Sequence, residues 1–151
     1  MENQRKYIEF NPFNKGYYEG DIVNGEPHGK GLFEFTNGNL YEGDWIEGQP
    51  NGKGKMTYED GSYYEGDWID GKKNGYGVEK FSNGSVYEGN HVNGYFHGNG
   101  KYILVNGNIY EGEFLMDEWG KLIAGGKGKI IYPDGRIVKG YWENGKIVEE
   151  K

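Results

Sequence analysis

Cysteine is absent from the 151 residues, which rules out disulfide frameworks, thiolate metal sites and cysteine nucleophiles. That fits an intracellular, cytoplasmic setting. Aliphatic side chains are scarce: apolar residues make up 34% of the chain, and aromatic ones alone account for 17%. No apolar run approaches the ~20 residues of a membrane-spanning helix. The opening Met1-Glu2-Asn3-Gln4-Arg5-Lys6 lacks the apolar core of a signal peptide. Basic charge is short as well, with 17 Lys and Arg against 24 Asp and Glu for a net of −7. Nucleic-acid binding needs a basic face, so no nucleic-acid partner is expected. The same charge disfavours contact with an anionic membrane. Because no nucleophile, base and orienting group can be assembled, the chain is expected to have no catalytic residues and no cofactor.

What the chain does have is glycine and rings in register. Its 29 glycines would suggest disorder if they were scattered, but they are spaced. Tyr-Glu-Gly occurs at Tyr18-Glu19-Gly20, Tyr41-Glu42-Gly43, Tyr64-Glu65-Gly66, Tyr87-Glu88-Gly89 and Tyr110-Glu111-Gly112, each 23 residues after the last. Two places on stands a bulky group: Ile22, Trp45, Trp68, His91 and Phe114. Glycine follows at Gly25, Gly48, Gly71 and Gly94, and then a Gly-x-Gly pair such as Gly29/Gly31 or Gly52/Gly54. Each unit closes on Asn37-Gly38, Asp60-Gly61, Asn83-Gly84 or Asn106-Gly107. The fifth unit carries five extra residues between Phe114 and Gly126, and a partial sixth unit follows. Such periodicity marks a repeat architecture.

Asn-Gly and Asp-Gly between alternating apolar residues are strong hairpin signals, because a type I′ turn needs positive φ at both central positions. Each unit is read as a strand, an Asn/Asp-Gly turn, a returning strand, and then a polar glycine-rich loop such as 47–53. Helix is disfavoured, since glycine costs about 1 kcal/mol relative to alanine in a helix interior. The expected fold is all-β: an elongated, single-layer, twisted antiparallel sheet of about eleven strands. Alternation places Tyr41, Gly43 and Trp45 on one face and Glu42 and Asp44 on the other. The glycines leave room for neighbouring rings to lie flat.

The pattern Tyr-Glu-Gly-x-Trp-x-x-Gly-x-x-x-Gly-x-Gly, ending in Asp/Asn-Gly, resembles the MORN repeat (membrane occupation and recognition nexus). Residues 41–63 and 64–86 follow it almost throughout, and the likeness covers about residues 18–148. Departures are Ile22, His91 and Phe114 at the tryptophan position, Asn90 at an acidic one, and the insertion in unit five. The resulting division is an N-terminal capping strand (1–17), five repeats (18–40, 41–63, 64–86, 87–109 and 110–137), and a partial sixth repeat with tail (138–151). The resemblance implies a groove lined by the repeat aromatics and a scaffold role, as in junctophilins, radial-spoke heads and apicomplexan cytoskeletal proteins. In architecture and length the chain is most similar to the small retinophilin-like proteins that bind myosin tails.

The partner-binding candidates are Tyr18, Phe35, Tyr41, Trp45, Tyr58, Tyr64, Trp68, Phe81, Tyr87 and Tyr110, with Trp119 from the insertion. Two roles are open to these rings. They offer contact area to an apolar peptide or helix, or they pack on one another because a single-layer sheet has no other core. An acidic ladder (Glu19/Asp21, Glu42/Asp44, Glu65/Asp67, Glu88 and Glu111/Glu113) faces the other way. It reads chiefly as a solvated face neutralised by Lys30, Lys53, Lys55, Lys101, Lys127 and Lys129, though it could recruit a basic partner. His28 and His97 occupy equivalent places three repeats apart, too distant to share a metal, so no metal is expected.

The leading functional expectation is a non-enzymatic scaffold or adaptor. It would bind a basic or amphipathic protein segment along the aromatic groove, with motor-tail, cytoskeletal or ciliary components as the classes the resemblance implies. The alternatives are a membrane or phosphoinositide contact module, and self-assembly through open sheet edges into an end-to-end homodimer.

Overall fold

A computed structural model describes residues 5–10, 14–116, 122–143 and 146–149. Among these are thirteen β-strands and no helix, two strands more than expected. They form an antiparallel open sheet of successive hairpins whose strand order is the chain order. The chain divides into two compact units, Met1–Lys72 and Lys73–Lys151. The first holds β1 (Lys6–Glu9), β2 (Lys15–Val23), β3 (Glu26–Phe35), β4 (Leu40–Ile46), β5 (Gln49–Thr57) and β6 (Tyr63–Ile69). The second holds β7 (Lys72–Lys80), β8 (Val86–Val92), β9 (Tyr95–Ile103), β10 (Ile109–Met116), β11 (Leu122–Ile131), β12 (Ile137–Glu143) and β13 (Lys146–Glu149).

Two kinds of tight turn alternate, and their assignment corrects the sequence expectation. The turns with positive φ at both central residues are Asn24-Gly25, Glu47-Gly48, Asp70-Gly71 and Asn93-Gly94; Glu47 has φ 48° and Gly48 φ 79°. These are the type I′ connections. The stretch 47–53 is therefore a two-residue turn running straight into β5, not a loop. In two of these turns an asparagine from the preceding hairpin holds the strained residue: the Asp70 amide donates to Asn51 Oδ1 at 2.9 Å and the Asn93 amide to Asn74 Oδ1 at 3.1 Å. At Asn37-Gly38 and Asp60-Gly61 only the glycine is left-handed, with φ 95° and 87°. There the Gly38 amide donates to the Phe35 carbonyl at 3.0 Å and the Phe35 amide to the Asn39 carbonyl at 2.8 Å. That is a type I turn closed by a glycine bulge. Asn37 contributes its Oδ1, which accepts from the Asn39 amide at 3.0 Å, rather than an unusual φ.

The Gly-x-Gly pairs have a structural origin in a recurrent irregularity. Gly43 pairs with Gly54 and Trp45 with Pro50, so Asn51, Gly52 and Lys53 together face the single Asp44. Gly52 absorbs the bend at φ 93°, and the Asp44 carboxylate accepts the Lys53 amide at 3.0 Å. The same arrangement recurs at Asp21, which accepts the Lys30 amide at 3.2 Å. The aspartates of the acidic ladder thus pin the bulges as well as carrying charge. A hydrogen bond from the Lys30 ammonium and the bond from the Lys53 amide hold the Asp44 carboxyl below the usual carboxylate range.

Candidate functional site: the aromatic face

The second glycine of each pair lies beneath a tyrosine. A side-chain carbon on Gly31 would fall within the Tyr18 ring, and one on Gly54 within that of Tyr41. On Gly100 it would come 2.6 Å from the Tyr87 hydroxyl. Each ring therefore lies flat across a glycine pair, with its hydroxyl donating to the main chain three residues on. Tyr41 reaches the Asp44 carbonyl at 3.0 Å, Tyr64 that of Asp67 at 2.9 Å, and Tyr87 that of Asn90 at 2.9 Å. Burial, and then the Asp21 charge, pushes the Tyr18 phenol up to about 12; burial also raises Tyr41 and Tyr87.

In the first unit the tyrosines and tryptophans interlock edge to face. Tyr41 meets Trp45 at 4.9 Å and 83° and Trp68 at 5.3 Å and 90°, while Tyr18 meets Trp45 at 5.6 Å and 85°. The indole N–H groups of Trp45 and Trp68 donate to the carbonyls of Gly31 and Gly54, at 3.1 and 3.0 Å. Tyr18, Phe33, Tyr41 and Tyr64 have no exposed surface, Trp45 has 2% and Trp68 4%. The predicted site rings Tyr18, Tyr41, Trp45, Tyr64 and Trp68 are thus brought together as the core of this unit. A single-layer sheet can bury apolar surface only by tiling its own rings, and the glycines make that tiling possible. Phe35, Met56 and Ile8 pack half-buried against the cluster. Tyr58 is half-buried just beyond β5.

The second unit repeats the plan with different rings. Tyr87 is fully buried, stacks on Phe96 at 3.8 Å, and meets His91 at 5.2 Å and Phe114 at 5.5 Å edge to face. Phe81, Tyr102 and Tyr110 pack half-buried against this cluster. Trp119 lies outside the described residues.

One feature of this unit was not foreseen: Lys73, Glu79 and His91 form a polar cluster in which His91 is buried and the other two are half-buried. Lys73 Nζ lies 2.7 Å from one Glu79 carboxylate oxygen, and His91 Nε2 lies 3.2 Å from the other. Their side chains are 15%, 14% and 0% exposed. Burial pushes the Glu79 carboxyl up, but the bond from His91 and the Lys73 charge outweigh it and hold it below its ordinary value. A repeat earlier, the three equivalent positions are Pro50, Met56 and Trp68. Aligning the repeats exposes this joint departure, whereas reading each histidine alone does not.

The opposite face carries exposed or half-buried charge. Lys30 pairs with Asp44 and Lys53 with Asp67, and Lys129 lies 3.2 Å from Glu111. No group of three potential metal ligands occurs among the described residues.

These features define a hairpin-repeat protein whose periodic tyrosines, tryptophans and glycines build its core. The MORN repeat family model matches residues 18–40, 41–63, 64–86, 87–109 and 124–135; the chain belongs to this family. No match to a curated protein was found. Among solved structures, the fold is similar to the SAS-4 (dCPAP) TCP domain of Drosophila melanogaster, solved in complex with a Proline Rich Motif of Ana2 (dSTIL). That match has 16% identity and a TM-score of 0.50, covering 91% of this chain and 77% of that one. A second match, at 13% identity and a TM-score of 0.32, is the TCP10 domain of Danio rerio CPAP in complex with a peptide of STIL; it covers 91% of this chain and 84% of that one.

Proposed function

We propose that this protein is a non-enzymatic scaffold that binds an extended or helical segment of a partner protein along the half-buried margin of its aromatic face. The observation that carries the reading is a division of labour among the rings. Tyr18, Tyr41, Trp45, Tyr64 and Trp68 are sealed into the core. Phe35 and Tyr58 in the first unit, and Phe81 and Tyr110 in the second, keep part of their surface in water beside it. Rigid rings on a pre-organised platform give contact area at little entropic cost. The Proline Rich Motif held by the SAS-4 TCP domain supports an extended segment as the class of ligand. The net charge of −7 favours a basic or amphipathic one. A motor tail, as for retinophilin-like proteins, or a cytoskeletal or ciliary component fits that description.

The test is site-specific photo-crosslinking. A photoreactive residue replaces Phe35 or Tyr58, the crosslinked segment is identified by mass spectrometry, and its synthetic peptide is titrated against the native chain by calorimetry. Saturable binding that falls at least about tenfold with Tyr58→Ser, in a variant still folded by circular dichroism, supports the reading. Unchanged affinity in Phe35→Ser and Tyr58→Ser would refute it. Sedimentation with phosphoinositide vesicles separates out a lipid-contact role.

A further inference from the structure

The charge of the chain is divided unevenly. Residues 1–72 hold 7 basic and 14 acidic side chains, whereas residues 73–151 hold 10 of each, so the whole net charge of −7 lies in the first unit. On the face opposite the rings, each unit sets its charges in a row across its strands. In the first unit, Glu42, Lys55 and Glu65 stand directly opposite one another on β4, β5 and β6. In the second, Lys101, Glu111 and Lys129 do so on β9, β10 and β11. The first row reads minus, plus, minus over β4–β6; the second reads plus, minus, plus over β9–β11, with Glu88 on β8 opposite Lys101 at its near end. Both have the strand spacing of about 4.8 Å.

Two residues further along the strands, on the turn side, each charged row has a companion row. In the second unit this is an unbroken aliphatic line in direct register: Val86, Ile103, Ile109, Ile131 and Ile137 on five neighbouring strands. Ile137 is 50% exposed, and the other four are half-buried. Lys139 extends the charged row beside Lys129, and a groove there is lined by Lys127, Lys129, Lys139 and Glu111. This local surplus of ammonium groups contrasts with the acidic first unit. In the first unit the companion row is Leu40, Thr57 and Tyr63.

We infer that this face of the second unit docks the corresponding face of the first unit of another copy of the chain. A rotation about an axis parallel to the strands brings the two faces together. It retains position along the strands and reverses strand order. Charged row then meets charged row, with Glu65 over Lys101, Lys55 over Glu111 and Glu42 over Lys129. The companion rows meet at the same time, with Tyr63 over Ile103, Thr57 over Ile109 and Leu40 over Ile131. Faces of like sign would repel, so pairing of two first units is disfavoured.

Sedimentation velocity across a concentration series tests this, at ionic strengths of about 0.05 and 0.5 M. The native chain self-associates at low salt and dissociates toward monomer at high salt. The double variants Lys101→Glu/Lys129→Glu and Glu42→Lys/Glu65→Lys, each verified as folded by circular dichroism, self-associate at least about tenfold more weakly. An equimolar mixture of the two recovers association, because each supplies the charge row the other lacks. A native chain that stays monomeric at low salt overturns the proposal. So does association that neither reversal weakens, the signature of pairing through the edge strands β1 and β13. Failure of the mixture to recover association while both variants are folded also counts against it.

Discussion

The ring of Tyr41 occupies the space that a side chain on Gly54 would need. Gly54 is not in a left-handed conformation, so alanine would meet no backbone strain there, only the ring. That ring cannot move aside, because it is fully buried, anchored to the Asp44 carbonyl and wedged between Trp45 and Trp68. Gly54→Ala is therefore expected to cost about 3 kcal/mol or more, the upper end for overpacking a core. Gly61 is the contrast: its φ is 87° with open space around the missing side chain. Gly61→Ala should cost about 1–2 kcal/mol, from left-handed backbone strain alone. Urea unfolding of the two variants measures the difference, and equal losses would show that the ring yields.

The buried phenols tie stability to alkaline pH. Burial raises Tyr18 to about 12 and moves Tyr41 and Tyr87 in the same direction. The folded state therefore holds these protons more tightly than the unfolded chain, whose tyrosines ionise near 10. Stability is fully present below about pH 10 and declines as pH rises beyond it. An alkaline titration followed by tyrosinate absorbance and circular dichroism should show their ionisation coinciding with loss of strand signal. Removing one hydroxyl with Tyr41→Phe should cost about 1 kcal/mol at neutral pH and soften the alkaline limb.

How far the sequence could be read differs from one position to the next. The flat packing of Tyr41 over its glycines followed from spacing alone, since no other residue leaves room for a ring. The turns misled because Asn-Gly and Asp-Gly serve two geometries. Asn24-Gly25 adopts positive φ at both residues, while Asn37-Gly38 does so only at the glycine. Glu47-Gly48 has no asparagine to announce it; what steadies such a turn is a residue 19 positions earlier, as Asn51 does for Asp70, and that contact exists only once the hairpins pair. Asp44 looked like a solvated carboxylate, yet its role at the bulge depends on a cross-strand register. Which rings would be sealed and which would keep a wet edge was also a tertiary matter. Trp45 and Phe35 are both large aromatics on neighbouring strands, and only packing separates a ring 2% exposed from a half-buried one.

The Lys73, Glu79 and His91 group should be exchangeable for the residues found one repeat earlier. Buried ion pairs are costly to desolvate, and well-packed apolar replacements are often more stable by about 1–4 kcal/mol. The combined variant Lys73→Pro, Glu79→Met, His91→Trp should keep the strand spectrum and melt higher than the native chain. Glu79→Ala alone should destabilise by about 3–5 kcal/mol, because it removes the carboxylate that pairs with the Lys73 ammonium and bonds to His91. The acid limb should differ too. Glu79 is held below its ordinary value, so the stability it contributes is present above that value and lost as pH falls through the folded one. Thermal melts across acidic pH should show a flatter limb for the combined variant.

Binding and folding should separate along the line between sealed and half-buried rings. Trp45 is 2% exposed, donates to the Gly31 carbonyl, and braces both Tyr18 and Tyr41. Trp45→Ala should therefore cost about 3–5 kcal/mol, and any loss of partner binding in it would follow from loss of structure. Tyr58→Ser removes a half-buried ring at a turn and should change stability by less than about 1 kcal/mol. The decisive comparison is peptide affinity against melting temperature across Trp45→Ala, Phe35→Ser, Tyr58→Ser and Tyr110→Ser. Affinity tracking stability across all four would leave the rings a purely structural role. Affinity lost in Tyr58→Ser at an unchanged melting temperature would make the wet edge of the ladder the contact surface, because a ring can contribute to binding without contributing to folding only if water reaches it in the free protein.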